Sequence, residues 1–205
     1  MRVGIIGAGA MGRAMARRAA LAGADVRLAD PGPVCARRVA REAMAGTPGV
    51  VAVAPIRSAL RPGLVILALD RAETLPFLHT HARSLTGKVL VETTAPRTEP
   101  HGTPMADLTA AVPGAAWVRA CAAGDAESIY RGLIDGHPVD VFVAADDESA
   151  KCRVIELANR SGLRALDAGR LDRAGVLDEL TSLGREISHR LAAPEGWAIK
   201  LLPSW

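Results

Sequence analysis

Short apolar runs alternate with helical spacings along this chain. Residues 2–6, with Val3, Ile5 and Ile6, suit a buried strand. Glycines follow at positions 7, 9 and 12, and 11–22 then carries an Ala- and Arg-rich helical pattern closed by Gly23. A second strand is expected over 25–29, ending at Asp30. After the Pro31-Gly32-Pro33 turn a helix is expected over 34–45, a third strand over 50–54 and a helical turn over 56–60. Residues 64–69 are apolar on both faces, as a central parallel strand must be. A helix over 72–83 and a strand over 88–92 come next. Four prolines make 93–113 read as irregular. Further strands are expected over 117–121, 139–144 and 163–166, with a helix over 147–161 between the last two. The long stretch 171–193 spaces Val176, Leu177, Leu180, Leu183, Ile187 and Leu191 at three- and four-residue steps, the mark of an amphipathic helix.

Strands alternating with helices predict an α/β protein with a doubly wound, mostly parallel sheet of the Rossmann type. The alternation does not break. The expectation is a single domain over 1–205, with 139–205 as a compact C-terminal strand–helix extension.

The first chemistry lies in Gly7-Ala8-Gly9-Ala10-Met11-Gly12, a complete G-x-G-x-x-G between an expected strand and an expected helix. Asp30 follows 18 positions beyond Gly12. In that setting Gly7 permits the tight turn, Gly9 lets a pyrophosphate approach the backbone, and Gly12 lets helix and strand pack closely. The free N–H groups of the first helical turn face the phosphates. Asp30 stands where an adenosine ribose is expected, and a carboxylate there repels a 2′-phosphate. That leans toward NAD(H), with Arg37 and Arg38 in the next helix keeping NADP(H) open.

Composition narrows the remaining classes. Of 205 residues 49% are hydrophobic and 23% charged, so wholesale disorder is excluded. A net charge of +3, no basic stripe and six aromatics argue against nucleic acid. No apolar run reaches the ~18 residues of a membrane span. The short apolar start before the glycines does not suit a secretory signal. Cys35, Cys121 and Cys152 show neither a disulfide framework nor a zinc spacing, which fits a reduced cytoplasm.

Residues 3–30 resemble the cofactor domain of 3-hydroxyisobutyrate and 6-phosphogluconate dehydrogenases. Those enzymes continue into a large helical domain with a catalytic lysine, whereas this chain has one long helix and only Lys88, Lys151 and Lys200. Residues 139–169, the long helix and the ending Ile199-Lys200-Leu201-Leu202 are similar to the NADPH-dependent reductase of coenzyme F420. Asp146-Asp147-Glu148-Ser149, Gly162-Leu163-Arg164 and Asp167-Ala168-Gly169 fall in that family's order. The resemblance implies one Rossmann-type domain with a small extension, hydride transfer between nicotinamide and a deazaflavin, and no side chain acting as acid or base on carbon. It also implies a homodimer, with the apolar face of the long helix and the apolar ending as contact surface. Departures from the family's pattern fall at Asp30-Pro31, where its members hold a 2′-phosphate, and around the acceptor at Asp70, Thr94-Ala95-Pro96 and Ala122-Ala123.

In an open α/β sheet the ligand lies beyond the carboxyl ends of the strands. This places Leu69, Asp70 and Arg71 after the fourth strand, and Glu92, Thr93 and Thr94 after the fifth, beside the expected nicotinamide. Asp70 is read as proton donor, carboxamide orienter or helix cap, and Thr94 as a hydrogen-bonding partner of nicotinamide or substrate, or a turn residue. Arg119, inside the sixth strand, is read as binding an anionic substrate or as an exposed strand position. Glu92 is expected to pair with an arginine. Asp125, Glu127 and the Asp146-Asp147-Glu148 run suit helix starts. His79 and His81 do not share a helix face, so no metal site is expected. His101 and His137 are loop candidates for proton donation, and His189 suits the end of the long helix. Three functions remain open: reduction of F420, reduction of another small-molecule C=N, C=C or C=O acceptor, and non-catalytic dinucleotide binding.

Overall fold

The computed structural model describes residues 1–30, 36–94, 105–122, 124–193 and 196–202. The strands are β1 (Arg2–Ile6), β2 (Asp25–Ala29), β3 (Val50–Val53), β4 (Leu64–Leu67), β5 (Val89–Glu92), β6 (Ala116–Ala122), β7 (Leu133–Ile134), β8 (His137–Pro138), β9 (Asp140–Ala145) and β10 (Arg164–Asp167). The helices are α1 (Ala10–Leu21), α2 (Ala36–Met44), α3 (Ile56–Ala59), α4 (Arg71–Leu85), α5 (Met105–Ala111), α6 (Ala126–Arg131), α7 (Glu148–Arg160) and α8 (Ala174–Arg190). A 3₁₀ turn, Leu171–Arg173, leads into α8.

Eight strands form one sheet in the order β10-β9-β6-β5-β4-β1-β2-β3. All neighbours pair in parallel except β6 and β9, which run antiparallel with Ala120 opposite Val143. The amino ends of β9 and β10 therefore share an edge with the carboxyl ends of β1–β6. The alternation of side chains along each strand splits the core. Val3, Ile5, Leu64 and Ile66 pack with α1, α2, α6 and α7, whereas Ile6, Val65 and Leu67 pack with α3, α4 and α5. On this second face Cys121, Phe142 and Ala144 meet Leu177 of α8. The α/β sheet expected from the sequence is thus present, including its central β4, buried at all four positions.

Three differences are informative. Residues 105–111, inside the stretch expected to be irregular, form α5, which buries Leu108. The Leu133–Pro138 segment is a small hairpin whose turn residues, Asp135 and Gly136, both have positive φ (48° and 77°). The third concerns α8. Its buried residues are Ala174, Leu177, Thr181, Gly184 and Ser188, whereas Val176, Leu183, Ile187 and Leu191 are 56%, 52%, 42% and 73% exposed. The expected apolar set is therefore divided: Leu177 packs on the sheet among small residues, whereas Val176, Leu183, Ile187 and Leu191 look outward. Trp197 explains the choice at Gly184, where a Cβ would lie 2.5 Å from its ring.

The chain end returns over α6 and ties down the site edge of the sheet. Gly124 bridges to Ala198, and Ser128 Oγ donates to Trp197 O at 3.0 Å. Farther on, Lys200 Nζ donates to Asp140 Oδ1 at 2.9 Å, and Leu201 N to Asp140 Oδ2 at 2.9 Å. Arg164 completes this cluster through Nε to Asp140 Oδ1 at 2.7 Å. Burial alone would raise the Asp140 carboxyl, but Arg164, Lys200 and the Leu201 N–H together bring it below its ordinary value.

Candidate functional site

The glycine loop has the geometry its residue types dictate. Gly7 has φ +104°, and a Cβ there would stand 2.2 Å from Ala68 O, so only glycine suits the turn. A Cβ on Gly12 would stand 2.0 Å from Gly7 O, which makes helix and loop a close contact. Above Gly9, in contrast, there is open space to 4 Å. Ala8 N donates to Asp30 Oδ2 at 2.6 Å, so the carboxylate at the end of β2 fixes the loop directly. Ala10 begins α1 with both it and Gly9 exposed, while Met11 is half-buried. Exposed Arg37 and Arg38 start α2, and Arg38 lies 3.8 Å from Glu42. Pro31–Cys35 lie outside the described residues.

A cleft of about 550 Å³ opens over this loop. Its floor is Gly9–Met11 and Ala68–Leu69, and its rim includes Asp70, Thr94 and Gly124–Ala126. From α8 and the segment after it, Arg185, His189 and Trp197 also line the cleft. A volume of this size is ordinary for a small-molecule site. A second cavity, of about 50 Å³, lies between α1, α7 and the sheet; it is apolar and too small for a nucleotide. There Arg18 is buried with no carboxylate partner among the described residues, donating to Ser161 O (2.8 Å) and Tyr130 O (2.6 Å) near the ends of α7 and α6. Burial lowers its pKa to about 10, with Arg17 adding to the effect, and the carbonyl-rich helix ends hold it in place.

The residues expected beside the nicotinamide separate into two groups. Leu69, Asp70 and Thr94 line the cleft. Thr94 is held from three sides, with Oγ1 donating to Leu69 O at 2.9 Å, N to Glu92 Oε1 at 2.7 Å, and O accepting from Arg119 at 3.0 Å. Thr93 turns away, its hydroxyl donating to Leu67 O, and lines the small inner cavity instead. Asp70 is exposed, and although it precedes α4 its side chain makes no cap hydrogen bond. This removes both the buried proton donor and the capping role from the readings above. Arg71 starts α4, and its side chain lies outside the described residues.

Arg119 is the largest correction. It is neither exposed nor in the cleft: its side chain is 1% exposed, with ion pairs to Glu92 at 2.9 Å and Asp178 of α8 at 2.7 Å. Burial works against its charge, but Glu92 and Asp178 outweigh that and raise its pKa, so it stays cationic. Arg119 thus fastens β5, β6 and α8 behind Thr94. Beside it, burial pushes the Cys121 thiol up, and its sulfur lies 2.8 Å from Thr181 Oγ1. Glu92 pairs with an arginine as expected.

Asp125 caps α6, accepting from Ser128 N at 2.8 Å, and its other oxygen accepts from Gly196 N at 2.7 Å. Glu127 pairs with Arg13 and Arg131, and Asp147 caps α7 through Ala150 N. His137 is exposed on the hairpin, His101 lies outside the described residues, and His81 lies against Phe77 with ring centroids 4.5 Å apart and planes tilted by 50°. No cluster of metal ligands occurs among the described residues. Sequence reasoning missed Arg185 and gave His189 only a helix-end role. The overlooked signal is their spacing: Asp178, Arg185 and His189 lie seven and four apart, on one flank of α8.

Fold and loop together define a dinucleotide-fold protein of the Rossmann class. Residues 2–96 match the family described as NADP oxidoreductase, coenzyme F420-dependent. A search of curated proteins gives no match. Among solved structures, a protein of Arthrobacter sp. FB24 described as an F420-dependent NADP-reductase is 22% identical, with TM-score 0.75 over 97% of this chain and 99% of that one. The imine reductase of Bacillus cereus BAG3X2 is 21% identical, with TM-score 0.66 over 93% of this chain and 62% of that one. A pyrroline carboxylate reductase of Plasmodium falciparum, solved with NADP bound, is 14% identical, with TM-score 0.67 over 93% and 66%. These likenesses establish the shared fold.

Proposed function

We propose that this protein is an NAD(P)H-dependent reductase whose hydride acceptor enters the cleft between the glycine loop and α8. The observation that carries the reading is the loop itself: a Gly7 at positive φ where no side chain fits, a close-packed Gly12 and open space over Gly9, beside a cleft bounded by the ends of β4, β5 and β6. The residues fit a dinucleotide. Ala8–Met11 would hold the pyrophosphate, Asp30 the adenosine ribose, and Leu69, Asp70 and Thr94 the nicotinamide end. The nicotinamide, when bound, supplies the hydride. This chain's work is to fix the ring's edge through Thr94, keep Thr94 rigid through Glu92 and Arg119, and shield the cleft from water with Trp197.

The family match makes coenzyme F420 the acceptor to try first, with imine, enone and carbonyl compounds next. Asp30 favours NADH over NADPH. The outward apolar flank of α8 (Val176, Leu183, Ile187) suits a second copy of this chain, giving a homodimer. No helix among the described residues is long and apolar enough to cross a membrane. Cys121 and Cys152 are free thiols, in keeping with a reducing cytoplasm.

The decisive experiment compares wild type with Gly9→Val. Gly9 has φ −70° and nothing near its Cβ position, so the fold tolerates the change. Unchanged thermal stability with at least tenfold weaker NADH and NADPH binding is expected. Undiminished binding would defeat the reading.

A further inference from the structure

The walls of the cleft differ in charge. Asp70 and Asp125 lie on the sheet side, and Asp125 is committed to capping α6 and to Gly196 N–H. Arg185 and His189 lie on the α8 side, one helical turn apart, with Trp197 beside them. The polar flank that carries them also carries Asp178, which is bound to Arg119 at the base of the helix. That anchor, together with Gly184 packed on Trp197, fixes the rotation of α8. Arg185 and His189 are therefore presented to the cleft by construction.

We infer that Arg185 and His189 form an anion-recognising wall and that the hydride acceptor is itself an anion. Its carboxylate or phosphate lies against α8, and its reducible group points toward Leu69 and Thr94. The inference rests on the dinucleotide reading above and adds the acceptor's chemical class. A guanidinium offers paired donors matched to a carboxylate or phosphate. An imidazole one turn away supplies a further donor to the same group. The anion has two possible sources: the acid group of a small metabolite, or the phosphoester tail of a deazaflavin.

The test is equilibrium binding to protein saturated with NAD⁺ or NADP⁺, which hold the cofactor site without donating hydride to the probe, read by tryptophan fluorescence and calorimetry. Two pairs of probes are used, 1-pyrroline-2-carboxylate against 1-pyrroline, and F420 against its deazaflavin core lacking the tail. In one pair the anionic member should bind roughly ten- to a hundredfold tighter, the scale of a charge-assisted contact. The pair that shows the preference identifies the source. Arg185→Met should abolish it, Arg185→Lys should keep part of it, and His189→Gln should reduce it. Affinity for the dinucleotide should stay within about twofold of wild type in all three variants. Absence of preference in both pairs, or of binding by any probe, overturns the inference. So does an Arg185→Met variant that loses dinucleotide affinity as much as acceptor affinity, since the pair would then serve the cofactor's pyrophosphate. Failure of the dinucleotide reading itself is seen separately, as absence of NADH and NADPH binding before any probe is added.

Discussion

Replacing Arg119 with methionine should be the most damaging single polar substitution in this chain. The guanidinium is 1% exposed and meets Glu92 and Asp178, and it donates to the carbonyls of Glu92 and Thr94 at 3.1 and 3.0 Å. Methionine fills the space but leaves Glu92, 2% exposed, as an uncompensated buried carboxylate. Asp178 is 22% exposed and recovers water, so most of the cost falls on Glu92. Breaking a buried pair from one side costs about 3–5 kcal/mol. For a domain of this size that corresponds to a Tm drop of roughly 6–20 °C. Guanidinium denaturation should show a lower midpoint at unchanged slope. The double variant Arg119→Met with Glu92→Gln should regain at least about 1 kcal/mol, because the stranded charge is gone. A loss below about 1 kcal/mol for the single variant, or a double variant no more stable than the single, would refute the account of this network.

Other consequences can be checked independently. Asp140 is held below its ordinary pKa, so its contribution to stability is present above the unfolded carboxylate range near pH ~4 and is lost as pH falls through the folded value. Asp140→Asn should flatten the pH dependence of stability in that acid window and speed proteolysis of the chain end at neutral pH; an unchanged profile would remove Asp140 from its role. Gly12→Ala, with a Cβ 2.0 Å from Gly7 O, should destabilise the fold as well as weaken dinucleotide binding, unlike Gly9→Val. Leu183→Glu should turn a dimer into a monomer by light scattering with the Tm almost unchanged; a wild-type monomer would dispose of the homodimer. Asp30→Ser should narrow any preference for NADH over NADPH in a binding titration, and an unaltered ratio would show that Asp30 serves the loop alone.

How much of this was legible beforehand depended on what each residue answers to. β4 and the glycine loop were readable because local pattern and tertiary role coincide there. α5 was hidden by Pro104 and Pro113, which bracket the helix rather than break it. The Asp135-Gly136 hairpin carried its signal in the dipeptide, whose paired positive φ values match a two-residue turn. On α8 Leu177 marked the buried face but Val176, Leu183, Ile187 and Leu191 did not, since Trp197 arrives from 13 positions beyond Gly184 and demands a residue without a side chain there. Arg119 was misplaced for a similar reason. Its partner Asp178 is distant in sequence, and a lone arginine in a strand does not announce a buried acid. Thr94 was found by position alone, while its restraint by Glu92 required the folded structure.

The three stripes of α8 also limit how its length can vary. Each inserted residue turns all that follows by about 100°. One insertion before Gly184 would bring the flank of Ile187 and Leu191 toward Trp197 and swing the small residues toward the cleft. The apolar flank, the tryptophan contact and the cationic wall would all be lost in one event, although every residue that makes them would still be present. Only steps of about seven residues restore the rotation. Homologous chains that keep this arrangement should therefore conserve the spacing from Asp178 to His189 more strictly than the identity of the exposed residues between them.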